Sequence, residues 1–254
     1  MFPILFRIGR FEISTFGLMA AIGFFAAYLI LRAEMKRKGE PPGRLAPDLL
    51  LGAVVGGLLG ARLNFAIEYW DVFVADPLSI LLSRSGFVWY GGVIGGVIAS
   101  ILVLKINKQR IGPFADAAAP ALAAGYFFGR AGCQLSGDGD YGVPTSLPWG
   151  MAYPEGFVPT LERVHPTPVY EMLIFAGIFF ILWRLRKLER PPWWLFGIYL
   201  VLAGIERFGI EFLRPHSLGT RGNFPWEAQT FSILMILIGA AFVTWTEIKR
   251  RRSA

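Results

Sequence analysis

Three segments of this 254-residue chain are apolar and free of charge over about the length of a membrane-spanning helix; they cover residues 13–31, 85–104 and 228–246. The hydrocarbon core of a bilayer is about 30 Å thick and requires roughly 20 apolar residues per helix. Backbone polar groups find no partner in lipid, so a spanning chain must form helices or a closed barrel. Continuous apolar runs of this length predict helices.

Four other apolar segments carry charges, and the distribution of basic residues decides whether they also span. These segments are 47–67, 112–133, 167–183 and 191–213. Cytoplasmic loops collect Lys and Arg, and only a seven-helix chain places the main basic clusters on one side. Those clusters are Arg32, Lys36, Arg37, Lys38 and Arg44; Lys105, Lys108 and Arg110; Arg184, Arg186, Lys187 and Arg190; and Lys249, Arg250, Arg251 and Arg252. The sequence therefore predicts an all-α integral membrane protein with seven transmembrane helices, the N-terminus outside and the C-terminus cytoplasmic.

Composition excludes several other classes. Hydrophobic residues make up 54% of the chain and charged residues 17%, so the net charge of +7 is explained by topology and does not indicate nucleic-acid binding. The single cysteine, Cys133, rules out an internal disulfide and a CxxC motif. With only His165 and His216 as further nitrogen ligands, we predict neither a metal site nor a cofactor.

The chain has no repeat and is predicted to be a single transmembrane domain over residues 1–254. Residues 1–13 mix charges with apolar residues and predict an arm in the outer interface. Residues 134–166 are rich in Gly, Pro and Asp and predict an outer-face cap loop, with Trp149, Tyr153 and Phe157 directed towards lipid. A disordered loop is the alternative, which the aromatic content disfavours.

Charged residues at bilayer depth are costly and usually face a partner or a water-filled cavity. Arg207, Glu211 and Arg214 are spaced i, i+4 and i+7, which predicts one helical face. Arg130, at the outer end of the fourth span, can join them from across the bundle. A guanidinium group presents donors in a fork that suits phosphate oxygens. These residues either form an Arg–Glu ion pair that only fixes helix packing, or bind an anionic lipid headgroup. Three acids predicted at a similar depth in the membrane favour the headgroup site: Asp138, Asp140 and Glu171.

The segment GRAGCQLSGDGDYG, residues 129–142, reads as the rim of this headgroup pocket. Its first glycines allow close approach of helix and lipid, and the later ones are predicted to permit a tight turn with positive φ; these later glycines are Gly137, Gly139 and Gly142. Asp138 and Asp140 bind headgroup hydroxyls or orient the arginines. The glycines of YGGVIGG, residues 90–96, permit close approach by a helix or a ligand.

These residues resemble the prolipoprotein diacylglyceryl transferases of bacterial inner membranes. The resemblance runs through FGLMAAIGF, GARLNF, FVWYGGVIGG, FADAAAPALAAGYFFGRAG, HPTPVYE, RFGIEFLR and the Gln of EAQTFS. It implies transfer of the diacylglyceryl group of phosphatidylglycerol to the lipobox cysteine thiol of a prolipoprotein, with release of glycerol phosphate. The partners would be phosphatidylglycerol and prolipoprotein signal peptides, and the active site would face the outer leaflet of the inner membrane.

The resemblance also implies roles for individual residues. Catalytic roles are expected of Arg130, Arg207, Glu211 and Tyr90, with Arg130 and Arg207 stabilising the phosphate. Substrate binding is expected from Phe16, Gly91, Gly92, Gly132, Cys133, Asp138, Asp140, Gly142, His165, Tyr170, Glu171, Arg214 and Gln229. His165 is expected mainly to anchor the end of the cap loop, and Cys133 is not expected to act as a nucleophile.

Several positions depart from the family's common pattern. Tyr90 stands where many members carry His, Phe16 where they carry Tyr, and Cys133 where they carry Asn. The phenol of a tyrosine has a reference pKa near 10 and is a poor base at neutral pH, so the general base is unassigned. Two alternatives remain: a divergent paralogue with another lipid group or acceptor, and a non-catalytic phospholipid or anion carrier.

Overall fold

The structure is a computed structural model that describes residues 1–9, 11–39, 43, 45–78, 88–214 and 227–253. Arg10, Arg44, His216 and the first three residues of the predicted span 85–104 lie outside the described residues. The helices are α1 (Thr15–Arg37), α2 (Leu45–Glu68), α3 (Trp70–Ala75), α4 (Trp89–Ile106), α5 (Ile111–Ser136), α6 (Thr167–Leu185), α7 (Trp194–Ile210) and α8 (Glu227–Ser253), with a 3₁₀ turn at Glu211–Leu213. Helices dominate, as the all-α prediction expected, and the strands are short. Two antiparallel hairpins are present, β1 (Ile4–Ile8) with β2 (Phe11–Ser14) and β3 (Met151–Tyr153) with β4 (Thr160–Val164).

Four of these helices are long and apolar enough to cross a membrane: α1, α2, α6 and residues Ala228–Arg252 of α8. A fifth apolar helix, Tyr90–Ile106, is shorter. The chain is therefore a membrane protein. Two other predicted spans are also helical: α5 has 26 residues and α7 has 17. They carry the charges that the sequence places at bilayer depth.

The chain forms two compact units, one of Arg32–Ile111 and one of Met1–Leu31 with Gly112–Ala254. In the smaller unit, glycines of α2 and α4 bring the two helix backbones together. A Cβ added at Gly60 would lie 2.9 Å from Cα of Gly95, and one added at Gly95 would lie 2.9 Å from Cα of Gly60. Small residues allow such close packing of membrane helices. Helix packing thus accounts for the glycine-rich start of α4.

The larger unit has its core between α5, α6, α7 and α8, where Ala119, Phe175 and Leu182 are buried. Asp116 of α5 lies near the start of α7. Its carboxylate accepts the backbone N–H groups of Trp193 at 3.0 Å and Phe196 at 2.8 Å. These N–H groups have no partner inside the helix, so the buried charge at Asp116 caps α7.

The two hairpins adjoin the C-terminal end of α5. The predicted arm is the hairpin β1–β2, and Phe2 N–H donates to the Leu135 carbonyl at 3.0 Å. The predicted cap boundary at residue 134 was wrong, because α5 continues to Ser136 and the cap begins at residue 137. Tyr153 was predicted to face lipid, but it is only 1% exposed and stacks on Tyr141. Trp149 and Phe157 are exposed, as predicted.

The packing of α2 on α4 predicts the effect of adding a methyl group. Gly60→Ala places a Cβ against the Gly95 backbone, which cannot move aside, so we expect a loss of about 1–3 kcal/mol and a melting temperature lower by several degrees in detergent. Gly57→Ala is the matched control, since its Cβ would meet only the Gly92 carbonyl at 3.4 Å. Equal melting temperatures for the two variants would contradict this account.

Candidate functional site

Arg130 lies in the last third of α5, where each of its guanidinium nitrogens has a partner. Nε lies 3.0 Å from Glu171 Oε2, Nη1 forms an ion pair with Asp140, and Nη2 donates to the Tyr126 hydroxyl at 3.0 Å. Tyr126 precedes Arg130 by one helical turn, which puts both side chains on one face of α5. Three elements thus meet at one guanidinium group: α5, the cap and α6.

A second arginine, Arg214, uses the same two carboxylates. Its Nη1 lies 3.4 Å from Asp140 Oδ1 and its Nη2 lies 3.4 Å from both oxygens of Glu171. Glu171 is fully buried in the first turns of α6 and also accepts the Tyr126 hydroxyl proton at 3.1 Å. Glu171 and Asp140 therefore form a double carboxylate bridge between Arg130 and Arg214.

The predicted single helical face for Arg207, Glu211 and Arg214 is only partly correct. Arg207 Nη2 lies 2.8 Å from Glu211 Oε2, as the i, i+4 spacing predicts. However, α7 ends at Ile210, and the 3₁₀ turn leads into an extended residue at Arg214, with φ −87° and ψ 140°. This change in backbone conformation carries Arg214 to the double carboxylate bridge.

The charges of the three arginines act together on Asp140. Burial alone would raise the pKa of this carboxyl, but Arg130, Arg214 and Arg207 outweigh burial and hold the pKa below its ordinary value. Arg207 Nη1 and Arg214 Nε are buried and have no hydrogen-bond partner among the described residues. Buried donors of this kind are normally satisfied, so the cluster has donors available for an anion.

The rim segment holds Asp140 through a tight turn. Gly137 and Gly139 have φ of 60° and 96°, as predicted. The prediction of positive φ was wrong for Gly142. A glycine is required at this position by close packing, because a Cβ added at Gly142 would lie 2.9 Å from the Cβ of His165. Asp138 Oδ1 accepts the Asp140 N–H at 3.2 Å. Burial, followed by the negative charge of Asp140, raises the pKa of Asp138.

Cys133 faces the same two aspartates from α5. Its buried Sγ lies 3.8 Å from Arg130 Nη1 and 3.7 Å from Asp140 Oδ2. Ligand atoms of Cys133, Asp138 and Asp140 all lie within 4.8 Å of one another. A cation there would be repelled by the two guanidinium groups on Asp140, so the arrangement suits an anion and proton exchange better than a metal.

The other predicted site residues fall into two groups. The first group lies in the larger unit, near the cluster. In this group Gly132 packs against Phe16, because a Cβ added at Gly132 would lie 3.0 Å from the Phe16 ring. His165 Nδ1 lies 3.3 Å from the Tyr170 hydroxyl, which accepts the Trp149 indole N–H at 2.8 Å, so His165 anchors the cap as expected. Gln229 is buried near the start of α8.

The second group belongs to the smaller unit. Tyr90 lies in the first turn of α4 and is 42% exposed. Gly91 and Gly92 face the α2 backbone, where an added Cβ would meet Gly60 and Gly57 respectively. A role in substrate binding for these three residues stays a prediction.

Sequence reasoning missed three residues that contribute to the cluster. Tyr126 links Arg130 to Glu171, and its position one turn before Arg130 was the available signal. Thr167 donates its hydroxyl to the Asp140 carbonyl at 2.5 Å, which joins the start of α6 to the rim. Glu206 was not assigned to the site, because its position in the helix does not place it on the same face as Arg207. In the structure Glu206 is buried beside the cluster.

The opposite pKa shifts of the two aspartates predict opposite effects on stability. A carboxyl whose pKa is raised in the folded state destabilises the protein once the pH exceeds the pKa of that carboxyl in the unfolded chain. A carboxyl whose pKa is lowered in the folded state stabilises the protein at neutral pH, and this stability is lost as the pH falls through the lowered pKa. At about pH 7.5 we expect Asp138→Asn to raise the melting temperature and Asp140→Asn to lower it.

The difference for Asp138→Asn should shrink as the pH falls towards about 4, where aspartates of the unfolded chain become neutral. The difference for Asp140→Asn should persist to about pH 4 and shrink only below it, as the pH falls through the lowered folded pKa of Asp140. Thermal unfolding of the parent and the two variants in detergent, across this pH range, gives the measurement. A lower melting temperature for Asp138→Asn at neutral pH would refute the assigned electrostatics.

Comparison with known proteins gives a consistent result along the chain. Residues 3–245 match the family described as prolipoprotein diacylglyceryl transferase. Similar curated proteins are each named phosphatidylglycerol–prolipoprotein diacylglyceryl transferase. The one from Clostridium tetani is 33% identical over 94% of this chain and 95% of its own length. Those from Mannheimia succiniciproducens and Vibrio vulnificus are 31% and 34% identical, over 99% and 96% of this chain and 94% and 90% of their own lengths.

Proposed function

Because the chain belongs to the prolipoprotein diacylglyceryl transferase family, we propose that it transfers the diacylglyceryl group of phosphatidylglycerol to the lipobox cysteine thiol of prolipoproteins. The products are a thioether-linked lipid and glycerol phosphate. The observation that carries this proposal is the cluster of Arg130, Arg207 and Arg214, in which two buried donors have no partner among the described residues. A phosphodiester supplies the acceptors that such donors require.

The arginine cluster suits the charge that develops in this reaction. As the bond between glycerol carbon and phosphate oxygen breaks, the phosphate gains negative charge. Donors held in place before the reaction stabilise that charge more than they stabilise the bound substrate. Glu171 and Asp140 fix Arg130 and Arg214, while Arg207 and Arg214 turn their free donors to the phosphate.

The nucleophile is the thiol of the incoming prolipoprotein. Cys133 is buried beside Asp140 and takes no covalent part. A free cysteine with a pKa of about 8.5 is mostly protonated at neutral pH, so its proton must be accepted during attack. Asp138, at the rim with a raised pKa, is placed to receive that proton.

We place this chemistry at the outer leaflet of the bacterial inner membrane. The chain has seven transmembrane spans in one domain, with α5 and α7 as the spans that carry the arginines, the N-terminus outside and the C-terminus cytoplasmic. Support comes from the basic clusters that follow alternate helices. The arm 1–13 and the cap then lie at the outer interface, where the lipobox of a signal peptide arrives.

The remaining predicted residues keep their roles within this proposal. On the family resemblance we propose catalytic roles for Tyr90, in the smaller unit, and for Glu211, which holds Arg207 in the larger unit. On the same ground we propose substrate-binding roles for Phe16, Gly91, Gly92, Gly132, Gly142, His165, Tyr170 and Gln229.

One assay separates this function from its two rivals. Purified protein is incubated with labelled phosphatidylglycerol and a lipobox peptide, and the peptide is analysed for a thioether-linked diacylglyceryl group. Formation of that product supports the proposal. Modification only with another lipid or acceptor indicates a paralogue, and lipid movement between leaflets without product indicates a carrier.

Loss of Arg207 tests the phosphate site. Arg207→Ala removes a charge and a free donor, and we expect transfer to fall by about 10³-fold or more with folding retained. Arg190→Ala is a matched control, because both arginines are 25% exposed and each pairs with one glutamate, Glu211 and Glu247 respectively. Near-normal transfer by Arg207→Ala would remove it from the site.

Loss of the Tyr90 hydroxyl tests the assignment in the smaller unit. Tyr90→Phe keeps the ring and removes one donor, and we expect kcat to fall by about tenfold or more because the family resemblance implies a catalytic role for this side chain. Melting temperature and phosphatidylglycerol binding provide the controls. If turnover stays at the parent level, Tyr90 is neither a proton acceptor nor a catalytic residue.

A further inference from the structure

Glu206 differs from Glu171 and Glu211 because no arginine among the described residues forms an ion pair with it. It lies on α7, immediately before Arg207, and is only 6% exposed. Its Oε1 atom is buried and has no hydrogen-bond partner among the described residues. By contrast, Glu171 and Glu211 both have arginine partners.

The surroundings of Glu206 place it beside the proposed phosphate site. Several elements supply the charged or titratable groups in electrostatic range of its carboxyl. Among the described residues these are Tyr126 and Arg130 of α5, Glu171 of α6, Tyr199 and Arg207 of α7, and Arg214 after the 3₁₀ turn. Where α8 packs on Gly204, two residues before Glu206, it presents Ser232 and Ile236, neither of which carries a charge.

The charge balance of the cluster indicates which form Glu206 takes. The positive charges of Arg130, Arg207 and Arg214 are already matched by the ion-paired carboxylates of Asp140, Glu171 and Glu211. A further carboxylate at bilayer depth, with one oxygen buried and without a hydrogen-bond partner among the described residues, costs at least about 2.5–3.5 kcal/mol. It would also repel an arriving phosphodiester. Glu206 is therefore a neutral carboxylic acid whose O–H group is available to a ligand.

We propose that Glu206 is the general acid of the transfer, which donates its proton to the phosphate oxygen that leaves the glycerol carbon. This inference rests on the proposed function. The thiol sulfur forms a bond to that carbon while the C–O bond breaks, and the C–O electron pair stays on the phosphate oxygen, where the Glu206 proton is accepted. The proton given up by the thiol later restores the acid through solvent, so protons balance over one turnover.

The test compares the parent with Glu206→Gln, which keeps shape and a hydrogen-bond donor but cannot transfer a proton. Both proteins are reconstituted with phosphatidylglycerol and a lipobox peptide, and kcat and KM are measured from about pH 6 to 9. We expect kcat to fall by about 10²–10⁴-fold, as for loss of a general acid, with KM for the lipid nearly unchanged. The parent should lose activity as pH rises, because the acid must be protonated, and Glu206→Gln should lack this alkaline limb.

Glu247→Gln is the control, since Glu247 of α8 is held by Arg190 and Arg250, which belong to the basic, predicted cytoplasmic segments. Parent-like kcat in Glu206→Gln overturns the inference, and so does a loss confined to KM or an unchanged alkaline limb. If Glu206→Gln does not fold, Glu206→Asp decides: retention of the alkaline limb with reduced kcat supports the acid, and its loss refutes it. A parent protein without any thioether product would contradict the proposed function itself, which is a separate outcome.

Discussion

The bridging of Arg130 and Arg214 by Glu171 and Asp140 is the interaction on which the arrangement of the larger unit depends. Guanidinium charges at bilayer depth require compensation, and removal of one partner of a buried pair typically costs about 3–5 kcal/mol. The four residues come from α5, the cap, α6 and the segment after α7. Their ion pairs therefore fix three helices and the cap relative to one another within this unit.

The same compensation prepares the unit for an anionic ligand. Arginines held by carboxylates keep their orientation, yet donors on Arg207 and Arg214 remain without partners among the described residues. A phosphodiester can occupy those donors without displacing an ion pair. Among the described residues of the cluster, Asp138 and Glu206 form no ion pair with an arginine, and these are the two acids for which we propose the proton exchange that thiol attack and phosphate departure require.

Much of the helical framework could be predicted because bilayer length and charge clustering act locally along the chain. The glycines of α4 were correctly expected at a close approach, and the Arg207–Glu211 pair follows from helical spacing. Errors arose where the chain leaves helical geometry. Arg214 reaches its partners through a 3₁₀ turn and an extended residue, and Tyr153 is buried by a stacking partner in the folded cap.

The sequence by itself determined that the chain enters a membrane, which apolar segments carry charged residues, and which family its motifs resemble. These properties depend on composition and spacing along short segments, so they can be read from the sequence. The tertiary structure alone decided that Glu171 pairs with two arginines, that Tyr126 joins Arg130 to Glu171, and that Oε1 of Glu206 has no hydrogen-bond partner among the described residues. Contacts between residues 40 or more positions apart depend on how the helices pack and where they end. The spacing of residues along the chain therefore does not predict these contacts.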